Sequence, residues 1–201
     1  MTFPGPSMRT RRSGPPDGDP LVFISDEQSD HAVDVTSLAR MADLVLLNEG
    51  VSGDCELSIY FVEEKVMADL NVRHMGGDGP TDVLAFPLEE VIEGGRTPDT
   101  GSSGPDRPPP DQSSLPLLLG DVVVCPAYAA RNAPEHTGPN HGGTLEDELA
   151  LLVVHGILHV LGMDHVEPEE TEAMQKRESE LLEKFRQSNT PSPGLSSGGQ
   201  I

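Results

Sequence analysis

His155 and His159 stand four residues apart in an apolar run, Gly162 follows the second by three, and His165 comes three later. On a helix, residues i and i+4 share one face a turn apart, so these two imidazoles can point at one centre. Gly162 can take a left-handed conformation, end the helix and swing His165 back toward that centre. Three neutral imidazoles with a fourth position left to water describe a catalytic zinc site rather than a structural one. One zinc ion on His155, His159 and His165 is therefore the expected cofactor, although three imidazoles also suit nickel or copper. Any one of these histidines alone would read as an ordinary core or surface residue. Cys55 and Cys125 are far apart in the chain and form no thiolate cluster.

The spacing H-x-x-x-H-x-x-G-x-x-H is that of the metzincin proteases, in which a glutamate after the first histidine acts as general base. Here that position is Gly156, which accepts no proton. The ligand geometry is present and the peptidase's base is missing. A bound zinc lowers the pKa of water and polarises a substrate oxygen, so hydrolysis is the favoured reaction class. No carboxylate at an obvious position completes a facial triad, which argues against redox chemistry. The sequence assigns no further catalytic group. Asp164 either orients a ligand or caps the turn. Glu148, seven residues before His155, reads as a first-turn acid favoured by the helix dipole. His136 and His141 read as exposed loop residues, with a fourth-ligand role as the alternative. Cys125 reads as a small buried hydrophobe.

These residues need a scaffold, and the hydrophobic pattern supplies one. Leu21 to Ile24, Cys55 to Val62, Asp82 to Phe86 and Leu117 to Cys125 read as four strands. Helices are expected from about Thr36 to Asn48, from Glu63 to about Arg73 with Val66, Met67 and Leu70 inward, and from Pro126 through Arg131. Thr144 with Asp147 resembles a capping box opening the helix that carries His155 and His159. That helix is apolar nearly all round from Leu149 to Leu161, the pattern of a helix buried mid-domain. A last helix runs from Pro168 to about Gln187, with Met174, Leu181, Leu182 and Phe185 inward. The expected fold is α+β (α/β-like): a single domain, residues 20–187, with one small four-stranded sheet covered by helices.

The remaining segments are poor in residues that can be buried. The 201 residues include 19 prolines and 21 glycines, clustered outside the periodic stretches. Residues 1–19 are expected to be a disordered arm, 89–116 a mobile Pro/Gly/Ser-rich insertion, and 188–201 a disordered tail. No N-terminal signal and no apolar run long enough to span a bilayer is apparent, and two isolated cysteines suit a reducing cytoplasm. The net charge is −21. Outside residues 1–19, 89–111 and 167–186 there are 19 Asp and Glu against Arg40, Lys65, Arg73 and Arg131. Nucleic-acid binding usually rests on many Lys and Arg contacts to phosphate, so composition argues against autonomous affinity for RNA or DNA.

Residues His155 to His165 match the H-G-x-L-H-x-x-G-[YM]-D-H signature of the YbeY family of bacterial endoribonucleases. Three further stretches agree in order: Leu70-Asn71 with Gly79 to Pro87, Leu119-Gly120-Asp121-Val122-Val123-Val124, and Glu148-Leu149-Ala150. The chain thus resembles that family over about residues 20–185, leaving out the insertion. The resemblance implies a single-domain metalloprotein with zinc on the three histidines, cleaving single-stranded RNA in the maturation of the 3′ end of 16S rRNA and in ribosome quality control. It also implies a cytoplasmic protein whose partners are rRNA and a ribosomal subunit or ribosome-associated proteins, with no membrane and no nucleotide cofactor. The family's usual L-N-x-x-Y-R-G segment carries an arginine thought to assist binding or catalysis. His74 and Met75 take the tyrosine and arginine positions here, leaving Arg73 as the nearby cation. His74 reads as a loop residue at a helix end, with proton transfer as the alternative. Two other readings stand beside the nuclease: a metallopeptidase-like hydrolase, and a non-catalytic zinc-containing ribosome assembly factor.

Overall fold

Leu21-Val22-Phe23-Ile24 extends as strand β2 (Leu21–Asp26), with Val22 and Ile24 buried. In the computed structural model, which describes residues 10–11, 20–53, 55–88, 117–138 and 141–189, it is joined by a short strand β1 (Thr10–Arg11). The pairing is antiparallel, Thr10 opposite Ile24 and Arg11 opposite Phe23. Both residues fall within the arm expected to be disordered. The physical reason for the difference is that β2 would otherwise present an open edge of free N–H and C=O groups. The rest of the 1–19 arm, the 89–116 insertion and residues 190–201 of the tail lie outside the described residues.

Strands β3 (Cys55–Phe61), β4 (Val83–Pro87) and β5 (Leu117–Val124) complete one mixed sheet in the order β1-β2-β3-β5-β4. β2, β3 and β5 run parallel, and β4 lies antiparallel on the outer side of β5. Alternation divides β3, β4 and β5 between two cores, while β2 contributes to the larger one alone. Val22, Ile24, Leu57, Ile59, Val122 and Val124 belong to the larger one, with the buried faces of α1 (Val35–Asn48), α4 (Leu145–Val160) and α5 (Pro168–Asn189). Leu84 and Val123 join the smaller one with Met67 of α2 (Glu64–Leu70) and Cys125, against Ala127 and Tyr128 of α3 (Pro126–Asn132). The expected α+β class with a single helix-covered sheet is what forms.

Local chemistry sets the ends of the elements. Asp34 caps α1 by accepting from Ser37 N at 2.9 Å, so the helix begins at Val35. After Leu70 the α2 backbone widens into a π-helical turn, Asn71–Met75, closed by left-handed Gly76. Asn71 Nδ2 donates to Gly79 O at 2.9 Å and fastens the loop that follows. Met67 is fully buried as expected, whereas Val66 is exposed. α5 takes in Ser188 and Asn189, two residues expected in the tail. Among the described residues no helix is long and apolar enough to cross a membrane.

Candidate metal centre

Helix α4 is set by its cap. Thr144 accepts from Asp147 N at 3.1 Å, the N-cap half of the expected capping box, while the Asp147 carboxylate accepts from the Thr144 hydroxyl and from Gly142 N, both at 2.9 Å, and not from the Thr144 backbone. Its middle is buried among strands and helices, and its last turn carries His155 and His159 side by side, their ring centroids 4.5 Å apart. The helix ends in a Schellman turn: Met163 N donates to Leu158 O and Gly162 N to His159 O, both at 2.9 Å, with Gly162 at φ 90°. That reversal brings the His165 ring to 5.4 Å from His155 and 4.9 Å from His159. One ligand atom from each of the three lies within 4.8 Å of the others.

The hydrogen bonds fix which nitrogens are free. His155 Nδ1 is 2.7 Å from Glu178 Oε1, and His159 Nδ1 is 2.9 Å from Met163 O. A carboxylate and a carbonyl only accept, so each Nδ1 carries a proton, and in the neutral ring that leaves Nε2 as the lone pair. Yet the two Nε2 atoms face one another at 3.1 Å. Two lone pairs at that distance repel unless a cation sits between them and the third imidazole. Burial, then the neighbouring His155, pushes the His159 imidazole below its ordinary pKa, which keeps it neutral and ready to ligate. The donor set therefore fits a metal of the zinc type.

Gly156 borders the groove beside the histidines, but its Cβ direction points into the sheet. A Cβ there would lie 2.5 Å from Val122 Cγ1 and 3.4 Å from Val83 Cγ2, so α4 rests on the sheet at this residue. The position of the metzincin glutamate is a packing contact, with no room for a side chain. Asp164 takes the capping role: its Oδ1 accepts from His165 N at 2.8 Å.

Glu148 lies in the first turn of α4 as expected but is fully buried, and His136 and His141 are its partners. His136 Nδ1 lies 2.9 Å from Glu148 Oε2. His141 Nδ1 accepts from Gly143 N at 3.1 Å, so its Nε2 holds the proton. That nitrogen sits 2.9 Å from Glu148 Oε2, off axis for a well-formed hydrogen bond and with no other partner. Cys125 is buried as expected, and burial pushes its thiol pKa up.

A groove of about 420 Å³ opens beside the histidines, walled by β4 residues Val83, Leu84, Ala85 and Pro87 and by Met75. Among the described residues that line it there is no Lys or Arg. Met75 is 52% exposed there. His74 packs edge-on against Phe86, ring centroids 5.2 Å apart, in keeping with a structural loop residue.

The family model described as "Endoribonuclease YbeY" matches residues 23–186, a span that includes the sheet from β2 onward, the three histidines and Glu178. This chain belongs to the YbeY family. Relatives carrying that same description include one from Mycolicibacterium gilvum, 42% identical over 153 residues, covering 76% of each chain. One from Frankia alni is 44% identical over 161 residues, covering 80% of each. One from Thermobifida fusca is 43% identical over 155 residues, covering 77% of this chain and 88% of its own. A solution structure of a Thermotoga maritima protein is similar at 27% identity and TM-score 0.48, covering 89% of this chain and 99% of its own.

Two groups of this YbeY chain escape the motif. Glu178 is 23 residues from His155 and on another helix, though it interrupts the apolar stripe of Met174, Leu181 and Leu182, where a carboxylate needs a reason to be. Thr171 also reaches the centre, its Oγ1 donating to His165 O at 3.0 Å.

Proposed function

We propose that this chain is a zinc-dependent endoribonuclease that cleaves single-stranded RNA in the maturation of 16S rRNA at its 3′ end and in ribosome quality control. The observation that carries the reading is the convergence of His155, His159 and His165, with two Nε2 lone pairs held inward at 3.1 Å, in a family whose relatives are named endoribonucleases. These three residues would hold a single ion. When bound, it supplies Lewis acidity, lowering the pKa of a water and offsetting charge that builds on a phosphoryl oxygen.

The chain's own residues do the rest. Glu178 and the Met163 carbonyl accept from the two Nδ1 atoms and orient both rings. β4 and Met75 wall the groove in which a strand would lie, and Asp164 is the carboxylate that lines it. With no Lys or Arg among the described residues that line the groove and a net charge of −21, we infer that phosphate contacts come largely from elsewhere. A ribosomal subunit or ribosome-associated protein in the cytoplasm would supply them. The same shortage of cations favours a second reading, a non-catalytic zinc-containing assembly factor.

The deciding experiment incubates purified protein of measured zinc content with labelled single-stranded rRNA and with peptides, beside a His159→Ala control. RNA cleavage that the control lacks supports the nuclease. Peptide cleavage alone would point to a metallopeptidase-like hydrolase, and zinc with neither activity to the assembly factor.

A further inference from the structure

Helix α5 touches two of the three histidine segments. Near its start Thr171 holds the backbone of His165. Two turns later Glu178 holds the ring of His155 at 2.7 Å. Glu178 is 7% exposed, on the face that also buries Met174, Leu181 and Leu182. A carboxylate among apolar neighbours carries a desolvation cost that one neutral N–H offsets only in part. A dication on the far side of the same imidazole offsets it further, because the ring relays charge between its two nitrogens. The two imidazoles on α4 are not equivalent in this respect. His159 leans on a neutral carbonyl within its own turn, whereas His155 leans on a buried anion delivered by a separate helix.

We propose that Glu178 is the positioning residue that sets the affinity of the centre for its metal. It fixes the His155 tautomer with Nε2 bare and raises that nitrogen's donor strength. Metal loading and the docking of α5 on α4 are thereby coupled: each favours the other to the same extent. The inference rests on the metal-site reading of His155, His159 and His165.

The test is a competition titration of the metal-free full-length chain with Zn²⁺ against a chromophoric chelator. The parent is compared with Glu178→Gln, Glu178→Ala and Glu49→Gln. The last variant removes a different α5 contact, the 2.7 Å ion pair of Arg177 with Glu49, which touches none of the three histidines. Zinc affinity is expected to fall about tenfold in Glu178→Gln and nearer a hundredfold in Glu178→Ala. In Glu49→Gln it is expected to stay within about threefold of the parent, the range of a bystander contact. Parental affinity in both Glu178 variants overturns the proposal, as does an equal loss in Glu49→Gln. A parent that binds no zinc instead overturns the metal-site reading beneath it. Should the Glu178 variants fail to fold, long-range ¹H–¹⁵N spectra of the metal-free parent decide. A proton on His155 Nδ1 with Nε2 bare supports the proposal, and a proton on Nε2 overturns it.

Discussion

Gly156 sits so close to Val122 that a single added carbon would lie 2.5 Å from Val122 Cγ1. In a helix interior, Gly→Ala ordinarily gains about 1 kcal/mol from propensity. Forcing a methyl into a filled core costs about 1–3 kcal/mol, and Val122 is fully buried, with its methyls against α4. Overpacking wins. Gly156→Ala is expected to lower Tm, and Gly156→Glu to prevent folding rather than restore a peptidase base. Thermal melts check the first, and in a chain that also carries Val122→Ala the loss should be smaller than the sum of the two single changes. A rise in Tm for Gly156→Ala alone would sink the packing account.

Removing Glu148 breaks up the buried cluster. Glu148→Leu takes the acceptor from His136 Nδ1 and the neighbouring charge from the His141 Nε2–H, which already lacks a well-formed hydrogen bond, at an expected cost of about 1–3 kcal/mol measured by urea unfolding. His136, with a side chain 49% exposed, can turn to water, so His136→Ala is expected to cost less. Zinc content should stay at the parental level in both, since neither histidine is a ligand. A drop in zinc would contradict the separation of the two clusters.

Acid should loosen the start of α4. Burial pushes the Asp147 carboxyl up, but hydrogen bonds from Gly142 N and Thr144 and the Arg186 ion pair outweigh it, and the net direction is down. A carboxylate depressed in the folded state contributes stability that is present above its unfolded pKa of about 3.9 and lost as pH falls through the lower folded value. Asp147→Asn is therefore expected to be less stable than the parent at neutral pH. The gap should close below about pH 4, the range set by the unfolded carboxyl. Urea midpoints measured from pH 7 downward test this, and a constant gap would refute it.

Met75→Arg places a cation on the groove wall. Single-stranded RNA is expected to bind about three- to tenfold more tightly at low salt, with the salt slope steeper by about one counterion. Fluorescence anisotropy over a salt series measures both. Unchanged affinity would mean that RNA does not follow this groove.

Chelation should destabilise the whole domain. An ion present at a hundred times its Kd adds about 2.7 kcal/mol, or roughly 5–10 °C of Tm for a chain of this size. A chelator is expected to remove that increment from the parent and not from His159→Ala.

The clustering of the three histidines was legible in the sequence because its geometry is local: helix pitch places His155 beside His159, and one left-handed glycine returns His165. The strands and helices were legible because their apolar periods agree with their caps and breakers. Glu178 was not, since its partner lies 23 residues away and no local rule joins them. The place of Glu148 in the first turn of α4 was legible, but its burial was not, since only the fold brings His136 and His141 onto it. Thr10–Arg11 is too short to carry a period, and its pairing comes from the open edge of β2.

The contact between Glu178 and His155 has a consequence in time as well as space. A ribosome delivers the sheet's last strand, ending at Val124, before any of the three ligands, and Glu178 after all of them. The strands can associate while the centre is still incomplete. On the proposed reading of the centre, high-affinity loading would await α5, and a metal bound there would be a late seal on the fold.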